Sequence, residues 1–203
     1  MADSNPILYI FSGLPGAGKS TLARLLSQRL GAVWLRIDTV EQALRDLCGL
    51  DVQGEGYRLA YRIARDNLLL GGSVVADCCN PIALTREEWM DVARNAGAAV
   101  RNIEICCSDP AEHRFRVENR RNSVPGLAPP SWTEVRARRY DPWESAERLK
   151  FVCGEDTEVL RIDTAGELPE QSFARLLARL QNVAGRSKGE DDQGEVLSSL
   201  NPR

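Results

Sequence analysis

Gly13-Leu14-Pro15-Gly16-Ala17-Gly18-Lys19-Ser20-Thr21 decides the reading of this chain. It follows an apolar run, Ile7–Ser12, and opens the helical pattern Lys19–Leu30. Three glycines and a lysine thus stand where a strand becomes a helix. Glycine lets a backbone curl until its N–H groups point inward. A helix start adds unpaired N–H groups and the positive end of its dipole. The spacing Gly13-x-x-x-x-Gly18-Lys19-Ser20 is that of a phosphate-binding loop. Gly13 through Thr21 are therefore expected to wrap the phosphates of a nucleotide. Lys19 would reach the β- and γ-phosphates, and the Ser20 hydroxyl would ligate Mg²⁺.

Outward from that loop, strand and helix patterns alternate. Strands are expected at 32–37, 73–77, within 98–107, and at 158–163. Helices are expected at 39–47, 57–70, 85–97, 109–122, 131–140 and along the stripe Phe173, Leu176, Leu177, Leu180, Val183. Thr39/Gln42, Thr85/Glu88 and Ser131/Glu134 are spaced as capping boxes. The alternation predicts an α/β fold, a five-stranded parallel sheet with helices on both faces. The three prolines of Ser123–Pro130 interrupt the helical pattern. Residues 185–203 are polar and aperiodic, which predicts a disordered tail after a domain spanning 1–184.

At 203 residues and net charge -3, the chain suits one domain and has no global basic field for nucleic acid. No apolar run approaches a membrane span, and the opening Met1–Pro6 has no signal-peptide pattern, so a cytoplasmic protein with no membrane partner is expected. Six cysteines without Cys-x-x-Cys, and one histidine, predict reduced thiols and no zinc centre. His113 is expected on the surface of its helix.

No Asn-Lys-x-Asp occurs, and no Asp-x-x-Gly follows the third strand, which argues against a GTPase. Further stretches recur in order: "IDTVEQALR", "VVADCCNP", "CSDPAEHRFRVENRR" and "RIDTAG". Together with the glycine loop, over residues 7–183, they resemble the small bacterial P-loop kinases grouped with adenylylsulfate kinase, chloramphenicol phosphotransferase and the zeta-toxin kinases. The chain departs from the Asp-x-Asp-x-x-Arg of adenylylsulfate and zeta-like kinases, since Asp38 is followed by Thr39-Val40-Glu41. It also lacks the Asp-Gly-x-Pro-Arg of nucleoside-monophosphate kinases.

The resemblance implies a P-loop kinase with a helical lid at about 113–140, moving the γ-phosphate of ATP to a hydroxyl of a small molecule. Asp38, at the end of strand two, would hold the acceptor and take its proton, with a helix cap as the alternative. Asp77, at the end of strand three, would bind Mg²⁺ or the acceptor, and Asn80 would touch the acceptor. Arg116 and Arg120, four apart on one helix face, would close on the phosphates. Asp163 and Thr164 would border the adenine. Two alternatives stand beside this reading: a polynucleotide or RNA-linked kinase using the arginine-rich lid, and a nucleotide-binding module without turnover.

Overall fold

The computed structural model describes residues 5–121, 123–143 and 158–198, with side chains through Val183. Five strands, β1 Ile7–Ser12, β2 Val33–Arg36, β3 Val74–Asp77, β4 Ala99–Cys106 and β5 Val159–Asp163, form one sheet in the order β2-β3-β1-β4-β5. Every pairing is parallel. Seven helices lie among the described residues: α1 Lys19–Leu30, α2 Ile37–Cys48, α3 Glu55–Leu69, α4 Ala83–Asn95, α5 Pro110–Asn119, α6 Trp132–Ala137 and α7 Pro169–Ser198.

Burial of both sheet faces explains why the strands are near-continuous apolar runs. Leu8 and Ile10 of β1 enter a core with Ala60, Ala64 and Leu68 of α3 and Trp89 and Met90 of α4. Tyr9 and Phe11 point the other way, into a core with Leu22 and Leu26 of α1 and Leu176 of α7. Alternate residues of one strand thus feed two cores. The chain leaves β1 for β2 and β3 on one side, then crosses to β4 and β5 on the other. The carboxyl end of β1 lies where this order reverses, the usual place for a ligand in such sheets.

Several expected boundaries move. The chain passes from β2 directly into α2, which begins at Ile37 with no side-chain cap. Ile37 is buried, and burying it sets the helix start. Asp38 therefore lies in the first turn of α2 instead of ending a strand, and Thr39 caps nothing. Likewise α4 begins at Ala83, and Thr85 donates back to the Ile82 carbonyl at 3.0 Å instead of capping. The box at Ser131/Glu134 forms as expected. Helix α7 continues through Ser198, so residues 185–198 of the expected tail are helical. Glu, Gln, Lys and Arg, all present there, are good helix formers. Residues 199–203 lie outside the described residues. Asp109 caps α5, accepting from the N–H groups of Ala111 and Glu112 at 2.8 and 3.1 Å, with Pro110 at the first helical position.

Candidate active site

The glycine loop forms the floor of a cleft of about 1160 Å³. Two of its glycines are required by close approach. Gly13 has φ 134°, and a Cβ there would meet the Ile105 carbonyl oxygen at 2.1 Å. Gly16 has φ 85°, and its Cβ would lie 2.5 Å from the Val117 side chain of α5. Helix α1 starts after Gly18 with no side-chain cap and no acidic residue in its first turn. Its first N–H groups are thus left for an anion. The Lys19 side chain is buried, with Nζ donating to the Leu14 carbonyl at 2.9 Å. An ammonium held over the loop is placed to exchange that carbonyl for phosphate oxygens.

Asp77 gathers three residues. Its Oδ1 accepts from the Ser20 hydroxyl at 3.0 Å, and its Oδ2 from the Trp34 indole at 3.2 Å. Arg36 Nε lies 3.8 Å from Oδ2. Trp34 and Arg36 are two apart on β2, so both side chains stand on one sheet face. Parallel pairing sets Arg36 opposite Asp77. Burial pushes the Asp77 carboxyl up, while Lys19, the Ser20 hydroxyl and Arg36 pull the other way. A hydroxyl and a carboxylate side by side under the loop are hard oxygen donors that suit Mg²⁺. No group of three or more His, Cys, Asp or Glu side chains able to hold a metal occurs among the described residues.

Asp38 lines the same cleft, its side chain 46% exposed and 3.6 Å from Arg36 Nη2. Arg120 and Arg121 line it too. Arg120 is half-buried; burial pulls its guanidinium down, and Asp38 opposes this most strongly. The expectation that Arg116 and Arg120 share a helix face does not hold. Helix α5 ends at Asn119, and Arg120 is extended at φ -65°, ψ 136°. Arg116 instead turns to the loop after β5, donating to Thr164 Oγ1 at 2.7 Å and to the Thr164 carbonyl at 2.8 Å. Thr164 Oγ1 lies 2.9 Å from the Ala17 carbonyl, so this residue ties Arg116 to the glycine loop.

Gly13, Leu14 and Ala17 lie behind the cleft wall, while Pro15, Gly16, Gly18, Lys19, Ser20 and Thr21 form it. Asp163 does not line the cleft: its Oδ1 accepts from the N–H groups of Ser108 and Ala165, shaping the loop that carries Thr164. Asn80 is also off the wall. It is fully buried at φ 45°, its amide donating to the Phe11 carbonyl at 3.0 Å, and so it braces β1 from beneath. Arg86 then holds the Asn80 carbonyl at 2.9 Å and the Asp141 carbonyl at 2.7 Å, stacked on Trp143 at 4.4 Å. Tyr140 also packs on the Arg86 guanidinium, at 5.0 Å.

His113, expected on the surface, is buried. Its Nε2 lies 2.8 Å from the Pro15 carbonyl, which can only accept, so Nε2 carries the proton. Trp132 packs edge-on to it at 5.2 Å. Helix α5 lies on the glycine loop, which is why its histidine is enclosed. The residues missed by sequence reasoning are Trp34, Arg36, Glu41, Arg45, Arg86 and Arg138. For Trp34 and Arg36 the signal was available, in their two-residue spacing before Asp38. The five cysteines among the described residues are free; Cys153 lies outside them. No helix among the described residues is long and apolar enough to cross a membrane.

The fold is shared widely. A gluconokinase from Sinorhizobium meliloti superposes with TM-score 0.63 at 15% identity, covering 92% of this chain and 98% of that one. An APS kinase from Mycobacterium tuberculosis, in complex with AMPPNP and APS, gives TM-score 0.58 at 17% identity over 87% and 98%. The tunicamycin resistance protein of Deinococcus radiodurans gives 0.56 at 21% over 87% and 96%. No curated protein sequence matches the chain. Residues 8–138, from β1 through the end of the arginine-rich segment, match the AAA domain family AAA_33. With its glycine loop, parallel sheet and arginine-lined cleft, the chain belongs to the AAA domain family AAA_33 and has the fold of the small P-loop kinases.

Proposed function

We propose that this chain is an ATP- and Mg²⁺-dependent kinase that transfers the γ-phosphate to a hydroxyl of a small molecule. One observation carries the reading: Asp38 and the phosphate loop line a single cleft. A hydroxyl placed between them meets a γ-phosphate on one side and a carboxylate on the other. The acceptor oxygen bonds to the γ-phosphorus, the bond to the β–γ bridging oxygen breaks, and ADP leaves. The hydroxyl proton passes to Asp38. Lys19, Arg120 and Arg121 stabilise the charge spread over the transferring group. Ser20 and Asp77 would hold Mg²⁺, which neutralises charge between the β- and γ-phosphates. Arg116 and Thr164 border the nucleotide, and Asp163 supports the loop that carries Thr164. The solved gluconokinase and APS kinase with this fold are named for phosphoryl transfer to small molecules, which supports the class. The free thiols fit a reducing cytoplasm.

The experiment is ADP release from ATP–Mg²⁺ against a panel of sugars, sugar acids, nucleosides, antibiotics and RNA ends. One small-molecule class should stimulate release and yield a phosphomonoester. Tight ATP binding with no stimulation by any acceptor would favour a binding module instead.

A further inference from the structure

The cleft is rich in positive charge. Below the loop, Lys19 and Asp77 stand together, with Arg36 3.8 Å from Asp77. Besides Arg116, five guanidiniums line the wall: Arg36 and Arg45 from β2 and α2, Arg120 and Arg121 after α5, and Arg138 after α6. Three carboxylates accompany them: Asp38, Glu41 and Glu134. Glu134 is taken up by its capping box, accepting from the Ser131 N–H and hydroxyl, each at 2.7 Å. Glu41 lies 3.5 Å from Arg45. Arg36 is shared between Asp38 at 3.6 Å and Asp77 at 3.8 Å, and its buried Nε has no hydrogen-bond partner among the described residues. Among those residues, Arg120, Arg121 and Arg138 have no carboxylate within ion-pair distance. Arg138 instead reaches the Cys79 thiol at 3.7 Å.

Like charges gathered in a cleft raise the free energy of the empty site and favour an anion that enters it. The nucleotide accounts for part of the excess, through Lys19 and the arginines that follow α5. It leaves Arg45 and Arg138. Arg45 lies seven residues along α2 from Asp38, roughly 10 Å at the rise of an α-helix. The segment before α6 covers that stretch of α2, because a Cβ on Gly126 would lie 3.0 Å from Gln42 and 3.4 Å from Asp46. The cleft lining therefore continues along α2 past Asp38 to an end at Arg45, and Arg138 lines the same cleft. We propose that this end binds an anionic group of the acceptor, a carboxylate or a phosphate ester, through Arg45 and Arg138. A guanidinium offers two parallel N–H groups to either oxyanion. Glu41 is the only carboxylate within ion-pair distance of Arg45 among the described residues; burial pushes its carboxyl up, and Arg45 and Arg138 oppose this. Assigning the anion to the acceptor rests on the kinase reading above; the anion site itself does not.

The test uses the full chain saturated with AMPPNP–Mg²⁺, so that the phosphate loop is occupied. Sodium sulfate, phosphate and malonate are titrated against sodium chloride at matched ionic strength, reading thermal unfolding. Saturable stabilisation beyond chloride is expected from at least one of them. Its half-saturation should rise about tenfold or more in both Arg45→Gln and Arg138→Gln, the loss of one charged hydrogen-bond donor. Sulfate and phosphate acting alone would identify a phosphate ester, and malonate acting best a carboxylate. No stabilisation beyond chloride, or an unchanged half-saturation in either variant, overturns the proposal. Arg45 and Arg138 are partly to well exposed, so neither substitution removes core packing. The titration needs no turnover. An acceptor panel that yields no transfer defeats the kinase reading and leaves the anion site standing, whereas a failed titration defeats the anion site alone.

Discussion

Arg116 and Thr164 close one side of the cleft through one residue's hydroxyl and carbonyl. Arg116 Nη1 donates to Thr164 Oγ1 at 2.7 Å and Nη2 to the Thr164 carbonyl at 2.8 Å. The same hydroxyl lies 2.9 Å from the Ala17 carbonyl and 3.1 Å from that of Cys106. Three segments distant in sequence therefore meet at a single oxygen: the glycine loop, the end of β4 and helix α5. Glu112 completes the arrangement, holding Arg116 at 2.5 Å and the Gly166 N–H at 2.8 Å.

Thr164→Val tests that junction. Valine matches the shape but removes the acceptor for Arg116 and the donor for Ala17. Leaving buried polar groups unpaired costs roughly 1–3 kcal/mol. The variant should unfold at lower urea concentration by that amount, and the ATP-induced rise in melting temperature should shrink because the glycine loop loses its brace. Unfolding within about 0.5 kcal/mol of wild type, the ordinary range for an inert surface change, would show that the junction is dispensable.

Glu41 yields a pH dependence. Burial, the largest cause, raises its carboxyl above the ordinary value, with Asp38 adding to the rise and Arg45 opposing it. Between the ordinary and raised values the folded chain holds a proton that the unfolded chain has lost. Folded stability from this group is therefore fully present below the ordinary value and declines as pH rises through the raised one. Glu41→Gln cannot titrate. The melting-temperature difference, wild type minus Glu41→Gln, should be most favourable to wild type at acid pH and fall as pH rises past the ordinary glutamate value and through the raised one. A difference that is flat, or that grows with pH, contradicts the burial argument.

Sequence pattern carried the sheet, the helices and the phosphate loop, because each rests on local spacing: period two in a buried strand, period 3.6 on a helix, glycines at fixed offsets. What it missed depends on contacts between distant segments. The start of α2 followed the burial of Ile37, which no spacing reveals, and that moved Asp38 by one turn's geometry. His113 looked solvated because its helix is charged, yet α5 lies on the glycine loop and encloses it. Asn80 sits beside the expected acceptor residues in sequence, but its φ of 45° turns the amide under β1. Arg116 and Arg120 share a face only while a helix persists, and this one stops between them. The charge excess at Arg36, Arg45, Arg120 and Arg138 was invisible for the same reason: four positions scattered over a hundred residues meet only in the folded cleft.

Asp38→Asn tests whether the cleft performs transfer or only binds nucleotide. The structure removes one competing explanation, because α2 begins at Ile37 and takes no side-chain cap from Asp38. Its remaining structural contributions are a charge in the first helical turn and a 3.6 Å approach to Arg36. A first-turn charge is worth about 0.3–1 kcal/mol. Asp38→Asn keeps the shape and loses the charge and the capacity to accept a proton. Stability should fall by no more than that amount. Nucleotide affinity should stay near wild type, because on the proposed reading Lys19, Ser20 and the glycine loop hold the phosphates. Phosphoryl transfer to the acceptor should drop by roughly 10²–10⁴-fold, the range for removing a general base. The measurement is steady-state ADP release with the acceptor found in the screen, set beside AMPPNP-induced thermal shifts of both proteins. Turnover within about threefold of wild type, well short of a lost general base, would assign proton removal to another group. A loss of nucleotide binding equal to the loss of turnover would place Asp38 in the phosphate site instead of the acceptor site.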